Sequence, residues 1–222
     1  MHILAINGSP RKKWNTATLL EKALEGAAAT GAQTELIHLY DLDYKGCTGC
    51  FACKSRGGGS HGKCAMKDGL TPVLERIANA SAFVLGSPIF FGTVTGEMRS
   101  FMERLLFPYL AYTRPPSPIS HRKIPTAFIY TIDTSDPFME QSNYPVHLGM
   151  NEHILGRIFG QSETLSCHET LQSEDYDTAV FNHFEPEERK QRRKTGFLGD
   201  CGKAYEMGAR LAQSVGEPSR VK

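Results

Sequence analysis

No stretch of this sequence approaches the roughly 20 consecutive apolar residues of a membrane-spanning helix, so no such span and no membrane partner are expected. Net charge is also nearly absent: 25 Lys and Arg against 24 Asp and Glu leave +1. That balance argues against nucleic-acid binding through bulk charge and against an acidic disordered chain. The first residues lack the charged segment, long apolar stretch and small-residue cleavage site of an export signal. Met1 instead runs into an apolar segment, and a cytoplasmic protein is expected. No internal repeat and no break in composition marks a domain boundary. With 222 residues the chain is expected to form a single domain across 1–222, long enough to bury roughly 70% of its unfolded surface without disulfides.

Apolar periodicity places the elements. Ile3–Ile6, 34–39, 82–85, 127–132 and, more weakly, 161–167 read as strands, mostly as continuous apolar runs. Between them come helical stripes at i, i+3, i+4 and i+7: Leu20, Ala23, Leu24 and Ala27, then Leu70, Val73, Leu74 and Ile77, then Met98, Phe101, Met102 and Leu105. Further helices are expected within 145–158 and over 202–213, and Asn15 or Thr16 is placed to cap the first. Strands buried on both faces and alternating with helices indicate an α/β, doubly wound parallel sheet of five strands in the flavodoxin-like order. Three segments stand apart as irregular: a cysteine loop at 45–66, a loop at 107–123 carrying Pro108, Pro115, Pro116 and Pro118, and residues 170–200.

Ligands of such sheets bind at the carboxyl ends of the strands. The first strand ends in Asn7-Gly8-Ser9-Pro10-Arg11, followed by Lys12, Lys13, Asn15, Thr16, Ala17 and Thr18 at the start of a helix. Unpaired N–H groups and the positive helix end favour a phosphate there, with Ser9, Asn15, Thr16 and Thr18 adding hydroxyl or amide groups and Arg11 adding charge. A plain strand–helix turn with solvated cations is the alternative. The glycines from Gly57 to Gly62 match a dinucleotide fingerprint in letters only, because no strand precedes them.

Three segments together resemble a known family. Ile6-Asn7-Gly8-Ser9-Pro10-Arg11 with Asn15-Thr16 is similar to the phosphate loop of NAD(P)H-dependent FMN reductases, and Gly86-Ser87-Pro88-Ile89-Phe90-Phe91-Gly92-Thr93-Val94-Thr95 to their second flavin loop. Gly46-Cys47-Thr48-Gly49-Cys50-Phe51-Ala52-Cys53, with Gly62-Lys63-Cys64 and Lys67-Asp68, resembles the iron–sulfur flavoprotein branch. The likeness covers about residues 1–107. It implies a flavodoxin-like fold, bound FMN, NAD(P)H as co-substrate, and homodimers or homotetramers with flavin sites near subunit contacts. Ser9, Arg11, Asn15, Thr16, Ala17 and Thr18 are the expected phosphate contacts. Pro88, Ile89, Phe90, Phe91 and Gly92 are expected to contact the ring, although Phe90 and Phe91 also suit a core. Thr131 and Asp133 are expected to form the third wall.

The spacing C-x2-C-x2-C-x10-C offers Cys47, Cys50, Cys53 and Cys64 as four thiolates. These suit a [4Fe–4S] cluster or a tetrahedral zinc, and unligated thiols remain open. The last gap is longer than in the resembling branch, through the insertion Arg56–Ser60, but added Gly-rich loop costs little closure entropy. Cys167 and Cys201 read as small core residues. The run Arg189-Lys190-Gln191-Arg192-Arg193-Lys194 reads as a solvated helix face, with NADPH phosphate binding as its alternative.

The expected function is an FMN-dependent oxidoreductase passing electrons from NAD(P)H to a flavin, quinone, other small acceptor or redox protein. One alternative is an iron–sulfur flavoprotein exchanging electrons with a ferredoxin-like partner. A flavodoxin-like carrier fits poorly with a charge of +1, and a zinc-bound structural protein would carry metal but no flavin.

Overall fold

A computed structural model describes residues 1–114, 123–176 and 185–215. In chain order the elements are β1 (His2–Asn7), α1 (Asn15–Ala29), β2 (Gln33–His38), α2 (Thr71–Asn79), β3 (Ala82–Phe90), β4 (Thr93–Val94) and α3 (Gly96–Leu106). They continue with β5 (Ile124–Thr131), α4 (Asp136–Gln141), α5 (Tyr144–Phe159), β6 (Gly160–Cys167), α6 (Pro186–Lys194) and α7 (Gly196–Gln213). The five expected parallel strands form one sheet in the order β2-β1-β3-β5-β6. The expected count of five is corrected to six, because the two-residue β4 folds back antiparallel on the end of β3, pairing Ile89 with Val94 and Phe90 with Thr93. β3 therefore runs on to Phe90, past the turn residues at which an apolar run stops.

Alternation along the strands divides the core in two. Ile3, Ala5, Val84, Ala127 and Ile129 face α1 and α7, meeting Leu20, Ala23, Ala204 and Met207. Leu4, Ile6, Phe83, Leu85, Phe128 and Tyr130 face α2, α3 and α5, meeting Val73, Ile77, Phe101, Met102, Leu155 and Ile158. Both faces being covered is why the strands read as unbroken apolar runs. Helices α1 and α7 touch backbone to backbone. A Cβ on Gly26 would stand 1.9 Å from the Tyr205 carbonyl oxygen, and one on Gly208 would stand 1.8 Å from that of Ala23. Only glycine permits that approach.

Three expectations change at the periphery. The first helix is capped not by Asn15 or Thr16 but begins after Trp14, whose side chain makes no capping bond. Residues 170–200, expected to be irregular, contain α6 and the start of α7, and residues 177–184 lie outside the described residues. In the loop at 107–123, Phe107–Tyr109 forms a 3-10 turn, and Pro115, Pro116 and Pro118 lie outside the described residues. Among the described residues no helix is long and apolar enough to cross a membrane.

Candidate functional site

The register aligns the strand ends that carry the chemistry. Asn7 lies beside His38 and Gly86, and Pro88 lies beside Thr131. The loops after β1, within β3–β4 and after β5 thus meet at one edge of the sheet. Buried bonds lock the first two together. Gly8 N–H donates to the Gly86 carbonyl at 2.8 Å, and the Thr95 hydroxyl donates to the Gly8 carbonyl at 2.7 Å. The same hydroxyl accepts from Met98 N–H at 3.3 Å, capping α3, and the Ser87 hydroxyl accepts from Thr95 N–H at 3.1 Å. A side chain at Gly8 would strike Met98, whose Cβ lies 2.7 Å from the Cβ position.

The loop after β1, expected to hold a phosphate, is shaped by its own side chains. Buried Asn7 accepts from Ser9 N–H at 2.9 Å and Ser9 Oγ accepts from Arg11 N–H at 3.1 Å, two short side-chain turns that curl the loop. The loop delivers the chain to α1, whose first turn contains no carboxylate and no side-chain cap. Donors without acceptors at a positive helix end are the chemistry of an anion site. The Thr16 and Thr131 hydroxyls bond across 2.8 Å, both buried, joining this loop to the end of β5. Ala17 is fully buried, and the Thr18 hydroxyl donates back to the Trp14 carbonyl at 3.0 Å.

A strap after β6 closes over the loop. Asn15 Nδ2 and Trp14 Nε1 both donate to the Leu171 carbonyl, at 2.8 and 3.0 Å, and Arg11 donates to the Gln172 carbonyl. Arg193 of α6 donates to Asn15 Oδ1 at 2.6 Å. The Asn15 amide, expected to reach a phosphate, is thereby bonded at both ends to protein. Leu171, Gln172 and Arg193 are residues that sequence reasoning did not place here, while Thr95, expected at the end of the second flavin loop, also binds the first. For Arg193 alone a signal existed, the basic run. That run is only partly a solvated face, because Arg189 is buried and pairs with Glu169 at 3.0 Å, and Arg192 pairs with Asp200 at 2.5 Å.

The second loop presents apolar surface. Phe90 is 47% exposed, and Phe91, at φ 51°, is fully exposed. For these two the core alternative fails. Pro88 and Ile89 are partly buried beside them, Gly92 at φ 80° backs onto Tyr144, and Asp133 is partly buried just beyond β5.

The cysteine loop folds away from this edge, against α3. Cys47, Cys50, Cys53 and Cys64 all line one small cavity with Glu103, Arg104 and Phe107. Its volume is about 20 Å³, room for about one water molecule. The donors are right in kind and number for a cluster. As arranged, however, no three His, Cys, Asp or Glu groups among the described residues converge to hold a metal ion. Fully buried Arg104 organises the pocket. Its Nε donates to the Cys64 sulfur at 2.9 Å, Nη1 to the Lys45 carbonyl at 2.9 Å, and Nη1 and Nη2 grip Asp68 at 2.7 and 3.1 Å. The Arg104 hydrogen bond holds the Asp68 carboxyl below its usual range, while burial pushes the Cys53 thiol up. A larger cavity of about 390 Å³ lies beyond Cys64 and Arg104, bounded by Ile124, the first residue of β5, and Phe159. It is at the opposite end of β5 from the loop after β1, so this hollow is not where the strand ends of the expected site gather.

An iron–sulfur flavoprotein of Archaeoglobus fulgidus is 43% identical over 104 residues, 47% of this chain and 48% of that protein. The chain spans about half the length of the curated relatives it matches. Among solved structures, an NAD(P)H:quinone oxidoreductase from Methanothermobacter marburgensis superposes with a TM-score of 0.63 at 14% identity, over 95% of this chain and 98% of that one. A flavodoxin from the domain Archaea superposes with a TM-score of 0.51 at 12% identity, over 98% and 100%. The flavodoxin-like fold is thus shared with both. The family described as NADPH-dependent FMN reductase matches residues 1–133, from β1 through the end of β5, and the chain belongs to that family.

Proposed function

We propose that this chain is an FMN-dependent oxidoreductase that accepts electrons from NAD(P)H and delivers them to a flavin, quinone or other small acceptor, working as a homodimer or homotetramer. The observation that carries the reading is the meeting of an uncapped, carboxylate-free helix end with the turn that bears exposed Phe90 and Phe91 at one sheet edge. A phosphate suits the first and a flat aromatic ring suits the second. Bound FMN would supply hydride acceptance from the nicotinamide and onward reduction of the acceptor.

The protein's own part is placement. The N–H groups opening α1, with Ser9 and Arg11, hold the phosphate. The Thr16–Thr131 hydroxyl pair and the Thr95 bonds keep the loops at fixed separation. Pro88 to Gly92 offers apolar surface and backbone N–H groups to the ring, and exposed Phe90 and Phe91 suit a neighbouring subunit. No acid or base is assigned, because hydride transfer to a flavin needs position more than proton transfer. Steady-state oxidation of NAD(P)H by the FMN-loaded chain, with a quinone or free flavin as acceptor, tests this. Consumption that requires bound FMN is expected. A loaded chain that leaves NAD(P)H untouched would refute it and indicate a carrier.

A second reading, an iron–sulfur flavoprotein exchanging single electrons with a ferredoxin-like protein, is favoured by one observation: the four cysteines share a cavity. It requires the loop to open, since the cavity as it stands is far too small. Iron and sulfide assays on anaerobically prepared protein decide it.

A further inference from the structure

Arg193 differs from its neighbours on α6. Arg189, Lys190 and Arg192 each meet a carboxylate, on Glu169, Glu187 and Asp200. Among the described residues no carboxylate is in ion-pair contact with Arg193, and Glu174 acts on its charge only from farther off, less than burial does. Its guanidinium, partly buried, reaches the phosphate loop instead, donating to Asn15 Oδ1 at 2.6 Å. It also lies 4.0 Å from the centre of the Phe197 ring and 5.8 Å from that of Trp14. Arg11 lies 5.5 Å from the same indole centre. Two guanidinium groups thus share one tryptophan beside a helix end with no acidic residue in its first turn. A cation drawn out of water needs a partner charge, and burial does lower the proton affinity of Arg193. A bound anion at the start of α1 would give this guanidinium the close counter-charge that Glu174, acting from farther off, does not.

We infer that Arg193 is a specificity residue of the phosphate site, fixing Asn15 and contributing the positive charge that selects a phosphorylated flavin over an unphosphorylated one. This rests on the FMN reading above. It assigns part of the cofactor site to α6, which lies outside the family match at 1–133. The carboxyl-terminal third of the chain then both straps the loop, through Leu171 and Gln172, and charges it.

FMN and riboflavin, which differ only in the phosphate, are the probes. Dissociation constants for both are measured by quenching of flavin fluorescence with the native chain, Arg193→Met and Arg193→Lys, after circular dichroism confirms that each variant is folded. A charge-assisted hydrogen bond carries about tenfold to a hundredfold in affinity. Arg193→Met is therefore expected to weaken FMN binding by about that factor while riboflavin binding changes less than about twofold. Arg193→Lys is expected to recover part of the preference, and added salt to erode it in the native chain. Equal weakening of both ligands would assign Arg193 a merely structural role, and no weakening of either would remove it from the site; both overturn the inference and leave the flavin reading intact. A native chain that binds no flavin, or holds riboflavin as tightly as FMN, overturns the phosphate-loop reading and this inference together.

Discussion

Arg104 donates from Nε to the sulfur of Cys64 across 2.9 Å while the rest of its guanidinium is held by Asp68. A fully buried cation on α3 thus fixes the last cysteine of the motif and the residue that leads into α2.

Removing its counter-charge is expected to be costly. Asp68→Asn leaves Arg104 buried without a carboxylate and should lower stability by roughly 3 kcal/mol. The Asp68 carboxyl titrates below its unfolded value, so this contribution is present above the ordinary carboxylate range, near pH 4. It is lost as the pH falls through the lower folded value. Urea unfolding from pH 6 downward should show the native chain losing more stability than Asp68→Asn.

The hydroxyl pair between Thr16 and Thr131 predicts a different pattern. Thr16→Val strands the buried Thr131 hydroxyl, at a cost of about 1–3 kcal/mol, and loosens the phosphate loop from β5. FMN affinity and the urea midpoint should fall together. A change in neither would show that the pair is idle.

At Phe91 the two quantities should separate. A fully exposed ring contributes little to folding, so Phe91→Ser should shift stability by no more than about 0.5 kcal/mol. It should nonetheless weaken flavin binding or subunit association, read by flavin titration and analytical ultracentrifugation.

The α1–α7 crossing is expected to be intolerant. Gly208→Val places new carbon against the Ala23 carbonyl, where a Cβ alone would stand at 1.8 Å. Overpacking of this kind costs about 1–3 kcal/mol, and backbone contact places this site at the upper end, measurable as a lowered urea midpoint.

Thiol reactivity should follow burial. Cys50 is exposed, while Cys167 and Cys201 are buried and burial pushes both thiols up. Native-state alkylation followed by mass spectrometry should label Cys50 first and leave Cys167 and Cys201 untouched.

Much of this was legible before the structure. Strands buried on both faces announce themselves as apolar runs, and the turn after β1 leads into a helix as its residues indicate. The end of β3 was not legible, because Gly86, Ser87 and Pro88 are turn formers in isolation and become strand only through pairing with Ile129, Tyr130 and Thr131. The strap was not legible either. It uses the carbonyls of Leu171 and Gln172, and backbone acceptors leave no trace in side-chain identity. Arg193 was visible as charge, but its place beside Asn15, 178 positions away, depends on how α6 packs. The four cysteines were readable as a set, whereas the small cavity they share follows from Arg104 drawing Cys64 against α3.

The most direct test of the central claim is the visible absorption spectrum of the purified chain after FMN is added and the excess removed. Retained FMN stoichiometric with the chain, with its two-banded spectrum, is the predicted result. A chain that emerges colourless, under conditions where it is folded, would contradict the flavin site at this sheet edge.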